Sequence, residues 1–195
     1  MKFSWLLSLS CCLLAAIARP AAQEKPPSRP GTAGAMHWKI RYLEHNADLQ
    51  RPDQAPTVFE EGEINQYLAS EVELPPGVRS VRLEGQTGVV TGKARVDFDQ
   101  LKAGRESSNP MLMIFTGVHD VVVKAHAQGA EGQGFVELDS LALDNVQIPR
   151  FLLQLFVEKI LQPKYPQIGV QSQFKLPDKI DSATVGEHKL IVIQK

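Results

Sequence analysis

The chain has 195 residues, of which 43% are hydrophobic and 22% charged, with a formal net charge of -1. These proportions exclude a disordered chain, and the near-neutral balance excludes a general attraction to nucleic acid or anionic lipid. The length suits one domain with a leader.

The first residues read as a secretory signal. Lys2 supplies the positive end, and "WLLSLSCCLLAAI" is an apolar run too short to span a bilayer comfortably. "AIA" at Ala16 to Ala18 offers one cleavage pattern and Ala22 a second. Residues 1–22 are therefore expected to direct export, leaving a periplasmic or secreted protein. Cys11 and Cys12 raise lipidation as an alternative, but the apolar run continues past both and neither follows a lipobox. Both cysteines lie in this leader, so the mature chain is expected to have no disulfide, thiol chemistry or thiolate metal ligand. Residues 23–35, rich in Pro, Ala and Gly, read as a disordered tether, and residues 36–195 as a single domain.

"MHWKIRYLEH" alternates Trp38, Ile40 and Tyr42, with Leu43 out of phase, and predicts a first strand. "TVFEEGEINQYLASEV" predicts a short amphipathic helix. Its Ile64, Tyr67, Leu68 and Val72 share one face, and Thr57 with Glu60 suggests a capping box. "VRSVRLEG" and "VVTGKARVDFD" follow as strands around a turn at "GQTG". In the second, Val90, Gly92, Ala94, Val96 and Phe98 point one way. Thr91, Lys93, Arg95, Asp97 and Asp99 point the other, so one face is expected to be wet. A polar stretch leads to the apolar run "MLMIF". "VHDVVVKAHAQG" repeats the alternation, with Val121, Val123, Ala125 and Ala127 inward. Gly92, Ala94, Ala125 and Ala127 are small, so a bulky partner must cover them.

"GQGFVELDSLALDNVQIP" slips phase near Ser140 and again near Asn145. A slip that does not end a strand marks a bulge, which bends the sheet; a turn at "LDN" is the alternative. "IPRFLLQLFVEKIL" then reads as a helix with Pro149 at its start. Phe151, Leu152, Leu155, Phe156 and Ile160 form one face, which Leu153, Val157 and Leu161 widen. An apolar arc this broad predicts burial on most sides. "QSQFKLP" and "ATVGEHKLIVIQK" each read as one further strand.

Residues that could carry chemistry are sparse. The histidines (His37, His45, His119, His126 and His188) lack metal-ligand spacing, and no HExxH or G-x-S-x-G pattern occurs. "GAEGQGF" joins two strands, which is a hairpin and not a phosphate loop. Asp97 and Asp99 share a strand face, but Lys93 and Arg95 beside them favour a charge-balanced surface over acid/base catalysis. No cofactor, metal, nucleic-acid partner or enzymatic activity is expected.

"FEEGEINQYLASE", "GVVTGKARVDFDQL" and "GVHDVVVKAHAQGAEGQGFVELDSLALDNVQIPRFLLQLFVEKIL" together resemble LmeA-type lipid-binding proteins and the C-terminal parts of AsmA-like envelope proteins. The resemblance spans Thr57 to Leu161. It implies curved antiparallel sheet around apolar helices, and a role in holding or moving lipids at the cell envelope.

The expected fold is thus α+β: a curved antiparallel sheet wrapped around a long apolar helix, with one short amphipathic helix. The expected function is non-catalytic binding of a lipid or other apolar ligand between helix and sheet, with peripheral membrane contact as a second partner class. Phe151, Leu152, Leu155, Phe156, Ile160, Met111 and Met113 are the candidate ligand-binding residues. The alternative is a structural or protein-interaction module whose helix is ordinary core.

Overall fold

Met36, Ile40 and Leu43 recur at helical spacing, and all three are buried. They belong to helix α1 (Ala35–Ala47), not to the expected strand. Leu43, which broke the alternation, was the telling residue, and Trp38 and Tyr42 stack one turn apart at 5.7 Å. A computed structural model describes residues 34–102, 115–163, 166, 169–177 and 179–195 of the chain. The expected leader, nearly all of the expected tether, Met111 and Met113 lie outside the described residues.

Thr57–Glu60 is strand β1, followed directly by helix α2 (Glu61–Ser70). The capping box is therefore Glu60 with Glu63, one turn later than Thr57 with Glu60, and the Glu60 N–H donates to the Glu63 carboxylate at 3.1 Å. Strands β2 (Val78–Gln86) and β3 (Val89–Asp97) form the expected hairpin. A single turn of helix, α3 (Phe98–Lys102), follows. Strand β4 (Val118–Ala130) pairs antiparallel with β3 on one side and with β5 (Gln133–Leu143) on the other.

The two phase slips have different causes. Lys124 faces Ser140 and Ala125 faces Leu138, so Asp139 is the extra residue of a bulge within β5. At the second slip, Asp144 and Asn145 take φ of 48° and 68°, forming a two-residue hairpin turn into β6 (Val146–Gln147). Strand β7 (Gln171–Lys175) lies on the outer edge of β5. The C-terminal stretch expected as one strand is a hairpin, β8 (Ile180–Gly186) and β9 (Lys189–Gln194), turning at Glu187 and His188.

Among the described residues these nine strands make one antiparallel sheet, with the order β1-β9-β8-β4-β3-β2 and β5 to β7 on the other edge of β4. Strand β4 has two partners along one edge: β3 as far as His126, then β8 at Gln128 and Gly129. Gly129 allows that junction, since a Cβ there would sit 3.1 Å from the Ala183 backbone nitrogen.

Among the described residues there is no long apolar helix, which corrects the expected fold. Pro149 precedes a seven-residue helix, α4 (Arg150–Phe156), which runs into a five-residue π-helical turn, Val157–Leu161. Only Leu153, Phe156 and Val157 of the described side chains there are buried, a stripe at i, i+3 and i+4. Phe151 is 58% exposed. The sheet therefore does not wrap this segment. The segment covers one end of the sheet, where the apolar run is shared between a buried stripe and an open side. The longest helix described is α1, at the other end of the molecule.

Two apolar clusters result. One packs α1 and α2 on β1, β8 and β9, with Leu83 and Val90 from the β2–β3 hairpin. The other gathers Val96, Val121, Leu141 and Leu143 from the sheet beneath Phe98, Phe115, Ile148 and the α4 stripe. Val90 and Val96 lie on the same side of β3 and in different clusters, so the small residues between them mark the division.

Candidate apolar site

The second cluster is built on three phenylalanine rings. Phe98 ends the inward alternation of β3, Phe115 precedes β4, and Phe156 closes α4. The rings of Phe115 and Phe156 stack at 4.2 Å, and Phe98 meets them edge-on at 5.5 and 5.6 Å. Phe115 is fully buried. Ala94 and Val123 pack against this group from the sheet, and Leu152 and Leu155 from α4.

Two exposed apolar side chains lie on elements that adjoin the cluster, Val146 opposite Leu143 and Phe151 on α4. Val146 is 66% exposed, and with Phe151 it is one of three large hydrophobic side chains exposed among the described residues. Arg150 lies 3.6 Å from Glu137, and Gln154 donates to Glu158 at 2.9 Å, so charge borders this side of α4.

Of the predicted site residues, the structure brings Leu152, Leu155 and Phe156 into this cluster and leaves Phe151 at its rim. Ile160 lies on the π-helical turn, and its side chain is outside the described residues, as are Met111 and Met113. Sequence reasoning missed Phe98 and Phe115. Phe98 was visible as the last inward residue of its strand, but only the fold shows that it meets Phe156.

A small hollow lies in the other cluster. Ile64, Leu83, Val90, Val185 and Leu190 line a space of about 30 Å³, with Glu61, Glu84 and Lys189 at its edge. That holds about one water molecule and no acyl chain.

Polar chemistry centres on histidine–carboxylate pairs. His119 Nδ1 is 2.6 Å from Asp144 and its Nε2 is 2.7 Å from the Thr116 carbonyl oxygen. The bond to Asp144 is the main reason its pKa lies above the ordinary imidazole value, and Asp144 is correspondingly held low. His126 pairs with the bulge residue Asp139 at 2.9 Å. His188 pairs with Glu61 at 2.8 Å, which raises the imidazole pKa. Burial pushes Glu61 up, but the Gly85 N–H and His188 outweigh it, and its pKa is lowered.

Asp97 is buried, not on the solvated face expected for it. It accepts the Gln100 N–H and the Arg79 guanidinium, and both lower its pKa. Asp99 accepts the Gly117 N–H. The two carboxylates are committed to different backbone segments. Among the described residues no group of three or more His, Cys, Asp or Glu is placed to hold a metal ion. No described helix is long and apolar enough to cross a membrane.

No family model, curated protein or solved structure matches this chain.

Proposed function

We propose that this chain is an exported protein of the cell envelope that binds a lipid or other apolar ligand without catalysing a reaction, using the end of the sheet beneath α4. One observation carries the reading: a buried aromatic cluster whose covering helix leaves Phe151 exposed, with Val146 exposed on the strand that leads into it. Peripheral membrane contact through the same rim belongs to this reading. The resemblance of Thr57 to Leu161 to lipid-binding envelope proteins points the same way.

The second reading, a structural or interaction module, is favoured by the close ring packing around Phe115. The two separate in a titration with a fluorescent fatty acid. Saturable uptake that weakens several-fold in Phe151→Asp supports the lipid function. No uptake by the wild-type protein, with Leu155→Ala costing only stability, supports the module.

A further inference from the structure

We infer that His119 is a protonation-dependent clasp on residues 115–117, closed while its imidazole carries both protons and thereby holding Phe115 in the aromatic cluster. The ring sits between two acceptors, the Asp144 carboxylate at 2.6 Å and the Thr116 carbonyl at 2.7 Å. Neither can donate while Asp144 is ionised. Both contacts are hydrogen bonds only when the ring is an imidazolium. Asp144 is kept ionised by that ring and by the Asp120 N–H at 2.9 Å.

A neutral ring has one proton to share. The charge-assisted bond to the carboxylate is the stronger, so the proton stays on Nδ1. The Nε2 lone pair then faces the Thr116 carbonyl oxygen, and that contact turns repulsive. The charged neighbours set where this happens. Asp144 comes from the turn after β5 and Asp99 from α3, and both favour the imidazolium. On the facing strands, Asp120 of β4 is paired with Arg95 of β3 at 3.5 Å, and Arg95 also helps to keep Asp144 ionised. The ring of Phe98 lies 6.0 Å away, and the His119 side chain is 26% exposed, so solvent protons reach it.

Two further hydrogen bonds hold the same stretch and report on it. Phe98 N–H donates to the Gly117 carbonyl at 2.8 Å, and Gly117 N–H donates to Asp99 at 3.0 Å. As His119 loses its proton, residues 115–117 loosen and the stack of Phe115 on Phe156 weakens. That this eases entry of an apolar ligand rests on the proposed lipid function; the clasp itself does not.

The test is an NMR titration of the His119 ring combined with amide hydrogen exchange. His119 is expected to titrate above free imidazole. Protection of the Phe98 and Gly117 amides, corrected for intrinsic exchange, is expected to fall about tenfold across that titration, the worth of one hydrogen bond to a charged group. Asp144→Asn keeps the left-handed turn, which asparagine tolerates, and should move both transitions together to lower pH. An ordinary His119 titration, or amide protection that ignores it, overturns the clasp. An intact transition in a protein that takes up no fluorescent fatty acid supports the clasp and overturns the lipid function.

Discussion

Phe151 and Phe156 lie on the same short helix and have opposite surroundings. Phe156 is buried between Phe98 and Phe115, while Phe151 is 58% exposed. Phe156→Ala is therefore predicted to cost about 3–5 kcal/mol, read by urea unfolding. Phe151→Ser should change stability by no more than about 0.5 kcal/mol while weakening ligand or vesicle binding. The titrating pairs give a second prediction at this scale. His119 and His188 have raised pKa values, so their stabilisation is complete below about 6.5 and is lost as pH rises through the raised values. Glu61, Asp97 and Asp144 have lowered values, so theirs is complete above about 4 to 4.5 and is lost as pH falls through the lowered values. Thermal melts are predicted to peak between about pH 5 and 6.5 and to decline toward alkaline pH. His188→Gln should flatten part of that decline. A melting temperature constant from pH 6 to 9 would contradict this assignment. The two histidine pairs were not legible from spacing, because each joins residues far apart in the chain; Glu61 and His188 are the extreme case.

At the scale of elements, alternation located β2, β3 and β4 because each has one wet face. It failed at α1, where Trp38, Ile40 and Tyr42 alternate by coincidence and the helical set Met36, Ile40, Leu43 decides the burial. It failed again at α4. Composition showed how apolar that segment is, but not that only one stripe meets the sheet or that the last five residues widen into a π-helical turn. The bulge was legible from the phase slip near Ser140, and Asp139 fills it. What no local pattern showed is how the outer edge of β2 is closed. The Asn65 side chain accepts the Leu83 N–H at 2.7 Å and donates to the Leu83 carbonyl at 2.8 Å. It thus occupies an edge that otherwise invites another strand. Asn65→Ala is predicted to cost about 1–3 kcal/mol in chemical denaturation, with concentration-dependent aggregation that Asn65→Asp does not show to the same degree. Unchanged stability would mean that this amide contributes nothing to the edge.

At the scale of the molecule, the sheet carries two cores along one face. The α1–α2 end is closed by two helices and a buried polar tie, in which Asn46 bonds Gln194 at 2.7 Å. The α4 end is covered by one short helix that leaves Phe151 exposed. This asymmetry was not legible in the sequence, because it depends on β4 exchanging β3 for β8 as a partner partway along one edge. It is also why the α4 end is the proposed site of apolar-ligand binding. The measurement that tests this most directly is mass spectrometry of an organic extract of the purified protein. The account predicts a lipid or other apolar molecule at near-stoichiometric amount, reduced in Phe151→Asp. Consistent absence of any such molecule from folded wild-type protein would contradict it.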